Sequence, residues 1–214
     1  FVLGGFQGLL GWWMVSSGLS ERVDVSQYRL AAHLAAASVL FVAIIWVARR
    51  LRPRAIVADA GPFWRPAVWA LAVLVFLQII MGAFVAGLDA GFGYNTWPLM
   101  DGRWIPDGLG AIKPAWRNLF ENPLAVQFTH RMIAYTIALY AGLLFWFASR
   151  ASGFSAVNNW LKLIVVLILA QIGLGIMTLV YVVPIPLAVS HQSLAFILFG
   201  AIVAYLADMR EQAV

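Results

Sequence analysis

Long apolar runs broken by short polar stretches set the pattern of this chain. Six stretches, about residues 1–17, 28–48, 66–87, 123–148, 158–181 and 187–207, carry at most one charged residue each. Most reach or approach the roughly 20 residues that cross a hydrocarbon core of roughly 30 Å. Hydrocarbon offers no water to the peptide groups, so only helices and closed barrels span it. Barrel strands would alternate polar and apolar residues over roughly ten-residue segments, whereas these runs are continuous. The pattern predicts an all-α integral membrane protein with six transmembrane helices.

Composition agrees: 63% of the 214 residues are hydrophobic and 11% charged, with a mean hydropathy of +0.88. The net charge of +5 is explained by where it lies, and no nucleic-acid partner is expected. Arg49, Arg50, Arg52, Arg54 and Arg65 crowd the 49–65 loop and its edges, while the 18–27 loop holds only Arg22. An excess of Lys and Arg in short loops marks the cytoplasmic side. The 49–65 loop, the 149–157 loop and the C-terminus are therefore expected to face the cytoplasm, or the matrix in a mitochondrion. Loops 18–27, 88–122 and 182–186 face outward. Trp12, Trp13, Trp46, Trp64, Trp69, Trp97, Trp104, Trp116 and Trp160 lie near predicted span ends, as an interfacial belt would. Phe1 already lies in a span and no signal-peptide pattern precedes it, so an N-terminal portion is expected ahead of it.

Three spans repeat one pattern. The first has Gln7-x-x-x-Gly11, the third Gln78-x-x-x-Gly82 and the fifth Gln171-x-x-x-Gly175. Small residues let helices approach closely and Gln can hydrogen-bond between them, so each pattern alone reads as generic packing. After each comes an outward loop and a span with a histidine near its start: His33, His130 and His191, the whole histidine complement. That recurrence points to an internal repeat. The three histidine-bearing spans run in the same direction. Each histidine lies five to seven residues into its span, roughly 8–10 Å below the outer helix end at 1.5 Å per residue. Spans 66–87, 123–148, 158–181 and 187–207 make one complete four-helix bundle over 66–208 with two facing histidines. Residues 1–48 supply a helix pair, half of a second bundle.

An ionisable ring at membrane depth marks a functional site by default; the bland reading is a histidine that merely hydrogen-bonds a neighbour. With no cysteine in the chain, disulfides, thiolate ligands and iron–sulfur clusters are excluded, and structural zinc is disfavoured. Haem needs one or two axial ligands and a deep apolar slot, which facing histidines in a bundle can provide. Arg29 lies one turn before His33 on the same face and is a candidate clamp for a haem propionate. Arg131 follows His130 directly and so points about 100° away; it is a second candidate. Both could instead snorkel to the interface. Of the acids Asp89, Asp101, Asp107 and Glu121, Asp89 is the best candidate for proton movement because it closes the third span. The bland reading of each is a solvated loop acid. The 88–122 loop, long and rich in Gly, Pro and Trp, is expected to cap the outer end of the bundle.

The motifs themselves are familiar. Gln7-Gly-Leu-Leu-Gly-Trp-Trp-Met-Val, Ser17-Gly-Leu and Val25-Ser-Gln-Tyr-Arg-Leu-Ala-Ala-His33 resemble haem A synthases of the alphaproteobacterial and mitochondrial branch. So do Gly82-Ala-Phe-Val-Ala-Gly-Leu-Asp-Ala-Gly91, Tyr94-Asn-Thr-Trp-Pro, Trp104-Ile-Pro, Glu121-Asn-Pro and Val126-Gln-Phe-Thr-His-Arg131. Gln171-Ile-Gly-Leu-Gly-Ile-Met-Thr-Leu179 and Pro186-Leu-Ala-Val-Ser-His-Gln192 complete a likeness that runs nearly end to end. The resemblance implies eight helices in two pseudosymmetric four-helix halves, of which this chain looks like helices three to eight. It implies an oxidoreductase that converts a ring methyl of haem O to the formyl group of haem A for cytochrome oxidase assembly. One half would hold the substrate haem, the other a haem b cofactor.

On this resemblance His130 and His191 match the cofactor-haem pair, with Arg131 beside them, and His33 with Arg29 matches the substrate-haem side. Residues 1–48 would be the second half of the substrate-haem bundle. The first two helices are absent, and with them the glutamate proposed as catalytic. Asp89 looks like its pseudosymmetric counterpart in the cofactor half, so the catalytic role is not moved onto it. The chain alone is expected to be inactive. Expected partners are membrane lipid, haem O, a haem O synthase and an unidentified electron acceptor, with homo-oligomerisation left open. The expected location is the bacterial plasma membrane, or the mitochondrial inner membrane in a eukaryote. A rival reading is a membrane haem-b electron-transfer protein without chemistry on haem. A third is a repeat-built transporter without haem.

Overall fold

The computed structural model describes residues 1–18, 24–51, 63–150 and 155–209. Arg22, Arg52 and Arg54, which weigh in the predicted orientation, and most of the 49–65 loop lie outside the described residues. The helices are α1 (Val2–Val15), α2 (Gln27–Leu51), α3 (Trp64–Gly87), the single turn α4 (Asn118–Glu121), α5 (Pro123–Arg150), α6 (Ser155–Val180) and α7 (Ile185–Asp208). No strand occurs among the described residues; there is only an isolated bridge between Met100 and Arg103.

Five of the six predicted spans are helices long and apolar enough to cross a bilayer: α2, α3, α5, α7 and α6 from Asn159. The first is a 14-residue apolar helix, about 21 Å long over the residues given at 1.5 Å per residue. Serines close its C-terminal end: Ser16 Oγ donates to Trp13 O (2.8 Å) and Ser17 Oγ to Met14 O (2.6 Å), and such local bonds compete with the helix. At the other ends, Asn122 Oδ1 accepts from the Leu124 and Ala125 amides and so caps α5. Arg49, Arg50 and Arg150 occupy the last turns of α2 and α5, where cations favour the helix dipole.

Helices α3, α5, α6 and α7 close a ring, each packing on the next and α7 returning to α3. Their shared core includes Val68, Leu71, Leu161, Ile164, Ile202 and Leu206, each at most 1% exposed. Apolar side chains such as Leu139, Val166, Leu169 and Ile197 point outward instead, where lipid tails are as apolar as the core. Near the arginine-rich end, Trp64 Nε1 donates to Tyr205 Oη (2.7 Å), and Trp160 stacks on Tyr205.

Helix α2 lies against α3 and α7, and α1 packs on α2 with no buried residue of its own. Two features hold α2 on α7. Arg49 Nε donates to Asp208 Oδ1 (2.9 Å), with a second bond between their Nη2 and Oδ2 atoms. Higher up, Gly200 lets the helices touch: a Cβ there would lie 2.8 Å from Ile45 Cδ1 and 3.1 and 3.2 Å from the Phe41 ring. Gly200→Leu is therefore expected to force α2 outward at a cost of about 1–3 kcal/mol, as overpacking does. Thermal unfolding in detergent should show a lowered midpoint; an unchanged midpoint would mean that α2 is not seated as described.

Candidate functional site

The three sequence repeats fold into three copies of one contact. Gln78 on α3 donates its Nε2 to the main-chain O of His130 (3.0 Å) and lies 3.2 Å from the ring Nε2. Gln171 on α6 does the same to His191, at 2.9 and 3.5 Å. Gln7 on α1 reaches His33 O at 3.1 Å and both ring nitrogens at 3.1 and 3.3 Å. The glycine one turn later gives the ring its space. A Cβ on Gly11, Gly82 or Gly175 would stand 3.1, 3.3 or 2.9 Å from the histidine Cε1. The spacing thus does more than let helices approach: it pairs a particular amide with a particular imidazole.

His130 and His191 line one cavity, about 360 Å³, enclosed by α3, α5, α6, α7 and the loop that follows α3. That size lies within the roughly 300–1,000 Å³ of cofactor and ligand sites. Gln78 and Gln171 are in the wall, and apolar residues such as Val75, Ile79, Ile172 and Leu198 form much of the rest. The Nδ1 atoms of both histidines are buried without a hydrogen-bond partner. His33 is not in this wall; it sits at the α1–α2 contact.

Arg131 also lines the cavity. Its neighbour in sequence points about 100° away on the helix, yet the long side chain brings the guanidinium to the same space. Its Nη1 donates to Thr96 O (3.0 Å), and its Nη2 to Tyr94 O (2.8 Å) and Gln127 Oε1 (3.1 Å). Its Nε is buried with no partner. All three acceptors are formally neutral.

The loop over the cavity is tied down by side chains to which the sequence pattern assigns no tethering role. Gln127, 3% exposed, donates to Ala90 O (2.7 Å) and Gly93 O (2.8 Å). Asn95 donates to Gly91 O and to Leu179 O at the end of α6. Trp97 Nε1 donates to Tyr135 Oη (3.1 Å), and both residues line the cavity at its exposed edge. The i, i+4 spacing of Gln127 and Arg131 on a helix was the one signal available for this network. Most of its other acceptors are main-chain carbonyls, which no residue pattern marks.

Other candidates are dispersed. Arg29 donates to Trp13 O (2.7 Å) and Ser16 Oγ (3.1 Å) and lies over the Trp13 ring, closing the end of α1. Asp89 lines the cavity mouth in a left-handed conformation, φ 53°. Asp101 and Asp107 are exposed in the loop, Asp107 paired with Arg103. Glu121 accepts from Tyr28 Oη (2.8 Å) and Arg117 Nε (2.8 Å), joining the start of α2 to the loop. The Arg117 bond, aided by Tyr28, holds the Glu121 carboxyl below its usual range.

Apolar helices around a cavity with two histidines and a buried arginine define a multi-pass helical membrane protein with a largely apolar, ligand-sized site in its core. The chain belongs to the cytochrome oxidase assembly protein family (COX15-CtaA), whose model matches residues 1–203. It is 50% identical over 207 residues to a Heme A synthase of Parvibaculum lavamentivorans, covering 95% of this chain and 58% of that protein. It is 50% identical over 207 residues to a Heme A synthase of Chelativorans, covering 95% and 56%. A Heme A synthase of Azorhizobium caulinodans is 49% identical over 211 residues, covering 97% and 59%. The chain thus spans somewhat over half the length of these curated relatives.

Gln127→Leu should release the loop by leaving two carbonyls unpartnered, a loss of about 1–3 kcal/mol. Limited proteolysis between residues 90 and 117 should speed up, with the helices intact; unchanged cleavage would show that Gln127 is not the tether. The Glu121 tether should be sensitive to acid. Its depressed carboxyl adds stability above the ordinary glutamate range and loses it as pH falls through the lowered folded value. In thermal unfolding from pH 7 to pH 3, the small gap between the unsubstituted chain and Glu121→Gln should close at the acid end. A gap independent of pH would contradict the assignment.

Proposed function

We propose that the chain is part of a haem A synthase, which oxidises a methyl group of haem O to the formyl group of haem A, and that its cavity holds a haem b. One observation carries the cavity reading: two histidines on parallel helices face one apolar space, each with a buried ring nitrogen that no described residue satisfies. The substrate and reaction are supported by the relatives, which are Heme A synthases at about half identity.

The residues suit a haem. Two neutral imidazoles would be a fitting donor set for its iron, and apolar walls would suit a macrocycle. His130 and His191 would be the ligands. Buried charges are ordinarily paired, and Arg131 meets only neutral acceptors and keeps a free Nε. A propionate carboxylate would supply the counter-charge. A bound haem would contribute one-electron redox chemistry. The chain holds the ring through two helices, shields it with the tethered loop and keeps water out with apolar walls. Asp89, the acid at the cavity mouth, is the candidate for exchanging protons with that space; no part in oxidising the substrate is given to it.

His33 and Arg29 would serve the substrate haem, with further ligands from residues outside this chain. A haem O synthase would supply that substrate, an electron acceptor would take the electrons, and the setting would be the bacterial plasma membrane. By itself the chain would bind one haem and leave haem O unconverted.

Purified in detergent with haem b, the chain should show a low-spin spectrum and about one haem per chain. His130→Ala and His191→Ala should each abolish or greatly alter that spectrum, and His33→Ala should leave it in place. A spectrum that survives both cavity substitutions, or a stoichiometry near two, would overturn the assignment.

A further inference from the structure

We propose that Gln78 and Gln171 are positioning residues that select which nitrogen of each cavity histidine carries the proton and which is free to face the cavity. This rests on the reading that the cavity holds a haem.

The argument begins with atoms left over. In each pair the glutamine Nε2 is held by the histidine's own main-chain oxygen, at 3.0 Å for Gln78 and 2.9 Å for Gln171. That bond fixes which end of the amide is the donor. The Oε1 of each glutamine is buried without a partner, and so is the Nδ1 of each histidine. A neutral imidazole has one donor nitrogen and one acceptor nitrogen. As the structure stands, the amide sits beside Nε2, at 3.2 and 3.5 Å. Turning the ring so that Nδ1–H meets Oε1 would satisfy both leftover atoms and release Nε2 from the amide. A metal-bound histidine ordinarily donates its second nitrogen to such an acceptor, which fixes the tautomer and raises ligand basicity.

The glycines fit this role. Side chains at Gly82 and Gly175 would abut Cε1 and obstruct the turn. The third copy supports the pairing as a device rather than an accident of one cavity. Gln7 lies against His33 outside the cavity wall, anchored to the same main-chain atom, and its Oε1 is likewise buried and unpartnered.

The test uses the purified chain with haem b, and leucine and glutamate variants of Gln78 and Gln171. The readout is the haem midpoint potential by spectroscopic titration. Gln78→Leu and Gln171→Leu remove the acceptor, so the ligand becomes less basic and the potential should rise, with haem affinity down about 10–100-fold. Gln78→Glu and Gln171→Glu should not raise it. A neutral carboxyl reproduces both bonds, and an ionised one is a stronger acceptor that lowers the potential. If leucine variants fail to accumulate, the glutamate variants decide, and a raised potential in them refutes the proposal. Glutamate and leucine shifting upward together would indicate mere packing and overturn it. Unshifted potentials in the leucine variants would do the same. Failure of the unsubstituted chain to take up haem would overturn the cavity reading and this inference together; a normal haem with flat potentials overturns the inference alone.

Discussion

A histidine in hydrocarbon must be given a partner, and much of this structure follows from how that is done. The partner comes each time from the preceding long helix, as a glutamine amide bound to both the ring and the main chain of the histidine. Such a bond needs the two helices at a set height and rotation. The glycine one turn beyond the glutamine needs the same register, because the ring edge fills the space of its missing side chain. Each pair therefore fixes how neighbouring helices lie against one another, where apolar contacts with lipid and with protein are nearly equivalent.

The loop over the cavity obeys a similar rule with different parts. Its turns expose carbonyls that would otherwise be stranded near the membrane, and buried Gln127 and Arg131 collect them. The short turn between α6 and α7 meets this loop. Val182 and Val183 both adopt left-handed conformations, at φ 60° and 56°, which β-branched residues seldom do. Val183 presses on the loop at Gly91, where a Cβ would be 2.7 Å from its Cγ2. Val183 lines the cavity, and ligand sites are a usual place for such strain.

The sequence made the helices legible because hydrocarbon allows so few alternatives, and their ends agree with the structure to within a few residues. The first helix ends two residues before its predicted span does, at serines that bond carbonyls three residues earlier. The histidines and the glutamine–glycine repeat were also visible. Their pairing was not, since periodicity tells which face a residue takes but not which atom it meets. Arg29 and Arg131 show the same limit. Both were read by helix position, and both spend hydrogen bonds on main-chain oxygens. Gln127 escaped notice because its acceptors are carbonyls of a loop whose path is set by turns at Asp89 and Tyr94, residues with positive φ.

All three histidines lie about two turns into their helices, at the end opposite Arg49, Arg50 and Arg150. Between His33 and Arg49 the helix rises about 24 Å at 1.5 Å per residue, most of the membrane's thickness. The core cavity is thus electrically shallow on its loop side. An elementary charge exchanged there crosses little of the transmembrane voltage, whereas one exchanged at the arginine end crosses most of it, a difference approaching 2.3 kcal/mol per 100 mV. On the proposed reading, the side from which an electron partner approached would decide whether electron transfer worked against the membrane voltage or was indifferent to it.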